Sequence, residues 1–252
     1  MTRNENMVGI VIPTLGTRIE FLMASLDSAR ENFPTSICLV GPKNFGLEGL
    51  LNSSADEMFI EDKGQGLPAA INHGMNSFRS DIEFVTWLGD DDLLARGSIQ
   101  AGLDRLSADP KLNLVFGKCT YIDEAGNFLR TNKFGAFGVK VLAFGPCLVP
   151  QPGSLIRRSS FNAVGQLSTV YSCAFDLDLF LKLKKIGRVE YVPEIQSSFR
   201  WHSDSLSVRN RPISVREASE IRKSHLPIFL RTISELWEIP LRVITKFAAR
   251  LI

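Results

Sequence analysis

Three adjacent carboxylates stand in Trp87-Leu88-Gly89-Asp90-Asp91-Asp92, directly behind the apolar run Phe84–Leu88. Such charges repel one another, so a buried cluster persists only beside a cation or in water. Hard divalent ions favour carboxylate oxygens, and magnesium or manganese commonly share them with substrate phosphates. The same run also reads as a solvated acidic turn capping the next helix, because Asp is a good N-cap. A second segment, Asp62-Lys63-Gly64-Gln65-Gly66, is a glycine-rich turn ahead of a helical pattern. Glycines let backbone approach a ligand and a helix N-terminus favours phosphate. A plain tight turn has the same composition, and the spacing is neither Walker nor GxGxxG. Asp176 and Asp178 open the segment FDLDLFLKL. Acidic residues in a first helical turn suit the helix dipole, and one of them can serve as a general base. Residues two apart do not share a helical face, so Asp176, nearer the open end, is the candidate base. His202, in Arg200-Trp201-His202-Ser203-Asp204-Ser205, is either a metal or phosphate ligand or an ordinary satisfied histidine. His73 and His225 have no supporting context.

These groups need elements to hold them. Val8–Ile12 and Ile37–Val40 are short continuous apolar runs, the pattern of parallel strands buried on both faces. Glu57–Glu61 and Phe84–Leu88 are further strand candidates, followed by Leu112–Phe116 and Lys118–Ile122. Helical spacing marks 18–32, Leu67–Phe78 and Ile99–Leu106, with a short helix at Leu47–Leu51. Alternating strands and helices with short connections predict a mostly parallel sheet flanked by helices. In such sheets ligands bind beyond the carboxyl ends of the strands, where the aspartates lie. Phe134–Pro152, rich in Gly, Phe and Pro, reads as a loop or mobile flap. Leu155–Phe161 and Val189–Val192 are apolar pieces flanking a helix, Asp176–Ile186, that Gly187 terminates.

The 252 residues are 44% hydrophobic and 22% charged, an ordinary globular composition with room for a sizeable core. A net charge of +2 does not mark nucleic acid as a partner. Four scattered cysteines, without CxxC spacing, read as free thiols in a reducing cytosol rather than a zinc site. The apolar run near the start is short and broken by Pro13, which points away from a signal peptide and toward a cytoplasmic body.

Together these segments resemble family 2 glycosyltransferases of the GT-A fold, of the bacterial polysaccharide-building type, from about Met7 to Ser207. Ile10-Val11-Ile12-Pro13-Thr14 is similar to that family's first strand beside the nucleotide pocket. Asp62–Gly64 with Ala70-Ile71-Asn72-His73-Gly74 resembles its base-contacting stretch. Trp87–Leu94 resembles its aspartate motif, and Gly117–Asn127 the strand and turn that follow. Pro150–Ser154 with Ile156-Arg157-Arg158 resembles the acceptor side, and Asp176–Leu181 the helix with the base. The resemblance implies an inverting, metal-dependent sugar transfer from a UDP-, GDP- or dTDP-sugar to a glycan or lipid-linked acceptor. It assigns Asp176 as base; Pro13, Thr14, Asp62, Lys63, Gly64, Ala70 and Asp90 to the donor; Asp91, Asp92 and His202 to Mn2+ or Mg2+; and Arg157 and Asp178 to the acceptor. Three positions differ from the pattern: Gly41, where an Asp is usual; Gly89, where an acidic or amide residue is common; and Phe175, where many members have Glu.

The expected organisation is one Rossmann-like GT-A domain over 1–207, with a nucleotide-sugar half to about 125 and an acceptor half from about 126. A helical extension, 208–252, follows. In it, Phe229, Ile233, Leu236, Trp237, Ile244, Phe247 and Leu251 form one helical face, and Pro240 kinks or splits the helix. This amphipathic tail either docks on protein, in the same chain or an oligomer, or lies peripherally on the inner membrane face. Two rival functions remain: a nucleotidyltransferase, and a catalytically inactive carbohydrate-binding protein on the same fold.

Overall fold

The computed structural model describes residues 8–240 apart from 33, 55, 133, 235 and 239; Met7 and the tail positions Ile244, Phe247 and Leu251 lie outside the described residues. The first half alternates as expected: β1 (Val8–Pro13), α1 (Ile19–Arg30), β2 (Ser36–Gly41), β3 (Glu57–Glu61), α2 (Leu67–Ser77) and β4 (Phe84–Trp87). Then come β5 (Leu93–Leu94), α3 (Ser98–Ala108), β6 (Leu112–Ile122), β7 (Phe128–Thr131), α4 (Gly135–Val141), β8 (Leu155–Arg157), α5 (Arg158–Ala163) and α6 (Phe175–Ile186). The chain continues through β9 (Arg188–Arg200), α7 (Leu206–Arg209), α8 (Arg211–His225) and α9 (Ile228–Arg231).

The strands form one sheet in the order β3-β2-β1-β4-β8-β6-β9-β5, with β7 on β6. Strands β3, β2, β1 and β4 are mutually parallel. Every residue of β1 and β2 is buried, because each side of the sheet is covered. Ile10 and Ile12 face Leu22 and Leu26 of α1, whereas Val11 joins Ile71 and Met75 of α2 and Leu177 of α6. The second half is mixed: β8 runs antiparallel to both β4 and β6, and β5 antiparallel to β9, while β6 and β9 are parallel. The expected mostly parallel sheet therefore describes the first half, and the antiparallel strands are short ones that carry little periodic signal.

Two sequence expectations change. The paired strand candidates at 112–116 and 118–122 are one strand, β6, bent at Gly117. There the partner β9 runs from Tyr191 to Ile195 while β6 advances only from Phe116 to Lys118. Pro193 sits in that bulge, where its missing N–H breaks no ladder bond. A Cβ on Gly117 would lie 2.3 Å from Gln196 Cγ and 2.6 Å from the Glu194 carbonyl oxygen. Second, 134–152 is not a free flap. It contains α4; Lys184 Nζ donates to the Val139 carbonyl at 2.6 Å, and Gln151 Nε2 to the Trp87 carbonyl at 2.8 Å. Nor does α8 trail away: its His225 meets Asp178 of α6, and Ile221 is fully buried in the core.

Because the atoms facing Gly117 include backbone, Gly117→Ala forces β6 and β9 apart. We expect a loss of about 1–3 kcal/mol, read as a fall of several degrees in thermal unfolding; an unchanged Tm would refute this close crossing.

Candidate functional site

The aspartate run sits where β1 and β4 end side by side. Their pairing extends through Leu88, whose N–H bonds the Val11 carbonyl. Thr14, the residue after β1, thereby meets Asp90, the third residue after β4. From Gly89 the chain must cross to β5 at the far edge of the curled sheet. Helix α1 holds this crossing: Ser25 Oγ donates to the Gly89 carbonyl, Leu94 N–H to Ser28 Oγ, and Asn32 Nδ2 to the Ala95 carbonyl. Ser25 and Asn32 are buried, polar residues whose use was not legible from periodicity. Gly89 also acquires a reason. Its Cβ would stand 2.8 Å from Asp91 Oδ1 and 3.1 Å from Asp92 Oδ2, so a side chain would press on the carboxylates.

Each aspartate has its own surroundings. Asp90 accepts the Thr14 hydroxyl at 2.6 Å and Arg18 Nη2 at 3.0 Å. Burial raises its carboxyl pKa above the ordinary value, against the pull of Thr14 and Arg18. Asp91 Oδ2 lies 2.8 Å from His202 Nε2 and 3.3 Å from Arg18 Nη1. Asp92 is held well above its usual range, first by burial and then by the neighbouring Asp91, with the Arg200 N–H on its Oδ1 opposing at 3.0 Å. Arg200 also donates through Nε to the Asp91 carbonyl and through Nη1 to the Glu124 carbonyl, and its guanidinium stacks on Phe21.

The donor set fits a hard divalent ion. Asp91 Oδ2 and His202 Nε2 stand near the ~3 Å spacing of adjacent ligands around an octahedral ion with bonds of about 2.1 Å. Among the described residues no group of three or more His, Cys, Asp or Glu side chains is placed to hold a metal ion. An open ligand pair suits magnesium or manganese, which usually take one or two carboxylates and complete the shell with water and substrate phosphate.

Asp176 lies in the first turn of α6, next to Phe175, whose ring packs on Trp87 at 6.3 Å between centroids. Asp176 lines a cavity of about 290 Å³ with Phe144, Cys147, Val215 and Arg222 among its walls. Burial pushes its pKa up to about 6. The start of α6 is fixed by Glu217 of α8, which no sequence motif singled out. Its carboxylate accepts the N–H groups of Ser172, Cys173 and Ala174 at 2.8–3.0 Å, and the Ser172 hydroxyl at 2.9 Å. Burial works to raise the Glu217 pKa, but these bonds hold it below the usual glutamate value.

The remaining candidates divide. Asp62, Lys63 and Ala70 line one groove of about 300 Å³ with Asn72 and His73; Gly64 takes φ +66° in the turn beside it. Asp62 N–H bonds the Gly41 carbonyl and Pro13 pairs with Val40, which ties these strand ends together, but neither Thr14 nor Asp90 lines the groove. A Cβ on Gly41 would meet Leu47 Cδ1 at 2.6 Å, so a side chain there would displace Leu47. The structure does not bring Arg157 to the site. It pairs with Phe84 at the opposite end of β4 and donates to the Leu106, Asp109 and Leu112 carbonyls. Asp178 turns away from Asp176, bound by Lys182 Nζ at 2.6 Å and His225 Nε2 at 3.1 Å. Both are packing residues, which corrects the acceptor-side expectation. Cys38 and Cys119 are buried free thiols as expected, and Cys147 and Cys173 are free but accessible.

The comparisons agree with this architecture. No family model matches the chain. Two proteins named uncharacterized glycosyltransferases, from Rickettsia felis and Rickettsia conorii, are 24% and 25% identical over 211 residues, 79% of this chain and 35% and 34% of their own lengths. Chondroitin synthase from Escherichia coli is 20% identical over 237 residues, 91% of this chain and 33% of its own length. The chain thus spans about a third of the length of these curated relatives. Among solved structures, S. aureus TarS 1–349 in complex with UDP-GlcNAc superposes with TM-score 0.65 at 10% identity, covering 86% of this chain and 65% of that one. The Pyrobaculum calidifontis mannosyltransferase PcManGT, in complex with GDP-Man and Mn2+, gives 0.62 at 16% identity, covering 97% and 80%. The fold is that of the GT-A glycosyltransferases, and the name glycosyltransferase carried by the relatives agrees with the resemblance read from the sequence.

Removing Glu217 leaves three N–H groups at the head of α6 without their acceptor. Glu217→Ala is expected to cost about 1–3 kcal/mol, since Ala174 is buried while Ser172 and Cys173 can turn to water. Because the folded pKa is depressed, this stabilisation is present above the ordinary glutamate pKa and fades as pH falls below it. Urea unfolding of wild type and variant at pH 7 and pH 3.5 checks both; an equal gap at the two pH values would refute the assignment.

Proposed function

We propose that this chain is the catalytic domain of an inverting, metal-dependent glycosyltransferase of family 2 type. It moves a sugar from a nucleoside-diphosphate sugar to an acceptor hydroxyl in glycan or cell-surface polysaccharide assembly. The observation that carries the reading is the cluster of Asp90, Asp91, Asp92 and His202 at the carboxyl ends of β1 and β4 on a GT-A fold. Support comes from the structural neighbours in complex with UDP-GlcNAc, and with GDP-Man and Mn2+, and from the similarity to a chondroitin synthase.

Asp91 and His202 would hold Mn2+ or Mg2+, with Asp92 as the carboxylate behind them; the bound ion would neutralise charge on the departing diphosphate. Thr14 and Asp90 border the donor, and the groove of Asp62, Lys63 and Ala70 takes its nucleoside. Asp176 acts on the acceptor. With a pKa of about 6 it is ionised at neutral pH yet basic enough to accept a proton. It takes the hydroxyl proton as the acceptor oxygen bonds to the anomeric carbon from the side opposite the phosphate. The carbon–phosphate oxygen bond breaks, its electron pair leaves with the nucleoside diphosphate, and the configuration inverts. Base catalysis of this kind contributes about 10²–10⁴-fold.

The acceptor is a glycan or a lipid-linked sugar, met at the cytoplasmic side of the inner membrane. No described helix is long and apolar enough to cross a membrane. The exposed Phe229, Ile233 and Leu236 are the part of the tail face that favours a peripheral contact.

Asp91→Asn should abolish Mn2+-stimulated release of nucleoside diphosphate. Asp176→Asn should abolish transfer while donor binding persists; activity retained in both would overturn the site. The wild-type rate should rise with pH through about 6 and then level, because only the carboxylate form accepts the proton. The raised folded pKa means that stability falls as pH climbs from the ordinary Asp value to about 6. Asp176→Asn should therefore unfold at higher temperature than wild type at pH 7.5, by the equivalent of roughly 2–3 kcal/mol.

A further inference from the structure

Arg18, in the loop after β1, has no part in the chemistry proposed above. It is the residue just before α1, and its side chain keeps about 30% exposure. Its guanidinium reaches into the aspartate cluster and makes three contacts. Nη2 lies 3.0 Å from Asp90 Oδ1; Nη1 lies 3.3 Å from Asp91 Oδ2 and 3.0 Å from His202 Nε2.

These contacts do not fit hydrogen bonding alone. If His202 Nε2 accepts from Arg18, its lone pair is taken, and it faces Asp91 Oδ2, a second acceptor, at 2.8 Å. If Nε2 carries a proton for Asp91, it faces Arg18 Nη1, which is a donor only. Either arrangement leaves one short contact mismatched. An atom pair such as Asp91 Oδ2 and His202 Nε2 is satisfied by a cation that has no hydrogens to orient. The guanidinium instead brings positive charge to the spot through a side chain that is partly in solvent and free to withdraw.

We propose that Arg18 is a built-in stand-in for the divalent cation. In the free protein it neutralises Asp91 and Asp90 at the metal position and keeps His202 aimed. When the ion arrives Arg18 releases Asp91 and His202 and stays with Asp90, where its charge faces the incoming diphosphate. The proposal rests on the metal-dependent reading above. It makes Arg18 a positioning residue that competes with the metal and keeps the empty site from collapsing under its own repulsion. Metal alone is therefore held weakly, and metal with a diphosphate is held well.

The test is Mn2+ binding, measured by calorimetry and by the electron paramagnetic resonance signal of free Mn2+, on wild type, Arg18→Gln, Arg18→Lys and Asp91→Asn, with circular dichroism as the check of folding. With Mn2+ alone, Arg18→Gln should bind at least tenfold tighter than wild type, and Arg18→Lys should fall between them. Adding inorganic pyrophosphate should tighten Mn2+ binding more in wild type than in Arg18→Gln. If folded Arg18→Gln and Arg18→Lys bind Mn2+ no tighter than wild type, while Asp91→Asn abolishes binding, the Arg18 assignment falls and the metal reading stands. If none of the four proteins binds Mn2+ with or without pyrophosphate, both fall together.

Discussion

Carboxylates on consecutive residues repel, and drying their surroundings raises the cost of keeping them charged. Asp90 and Asp92 are both nearly buried, so opposing charge has to be delivered from elsewhere in the chain. It arrives from two directions. Arg18, from the loop after β1, ion-pairs with Asp90 and Asp91, and Arg200, the last residue of β9, gives Asp92 its backbone N–H together with a favourable guanidinium charge. Neither is near the aspartates in sequence, and each is placed by the sheet. The parallel pairing of β1 and β4 sets the first, and the pairing of β9 with β5 sets the second. The electrostatic requirement of three residues thus depends on the register of strands that span the molecule.

The same requirement explains why the two halves of the sheet are joined as they are. The chain leaves β4 in the middle of the sheet and reaches β5 at its edge within five residues, Leu88–Asp92. That is possible only because the sheet curls so that its edge returns toward its centre. The curl needs β6 and β9 to be long and to bend, which Gly117 and the Pro193 bulge allow. His202 follows directly from this geometry. Two residues beyond the end of β9, it reaches Asp91 because β9 is already fixed against the aspartate crossing. The two halves of the sheet are therefore tied at the aspartate cluster.

The legible parts of the sequence were those with a strong local pattern. Continuous apolar runs revealed β1, β2, β3 and β4, and helical spacing revealed α1, α2, α3 and α6, because burial on both faces or along one stripe leaves a periodic trace. Strands β5 and β7 are too short to leave one. Helix α8 is polar over most of its length and buries Glu217, Ser219 and Arg222, so its docking is written in long-range polar contacts rather than in apolar residues. The candidate site followed a similar division. Asp90, Asp91, Asp92 and Asp176 were visible as acidic residues at the ends of recognisable elements. Arg18 and Glu217 were not, since an arginine in a loop and a glutamate on a polar helix look like solvated surface. Arg157 misled for the converse reason. It stood in a stretch resembling an acceptor segment, but three carbonyl oxygens at the far end of the strands claim its guanidinium.

The two acids that open α6 show how environment, rather than residue type, divides the work. Asp176 and Asp178 are two residues apart and so face different directions. Asp178 meets Lys182 and His225, whose hydrogen bonds overcome the effect of burial and hold its pKa below the ordinary value. It is a charged tether between α6 and α8. Asp176 faces the cavity with little more than its neighbour's N–H at 2.8 Å for company, and burial raises its pKa. A permanently ionised, paired carboxylate is a poor proton acceptor because its partners must be given up when it protonates. An unpaired carboxylate poised near neutrality gains a proton at little cost. The tether and the candidate base are also coupled through α8, which supplies His225 to Asp178 and Glu217 to the backbone before Asp176. A single helix thus removes one acid from proton chemistry and aims the other at the cavity.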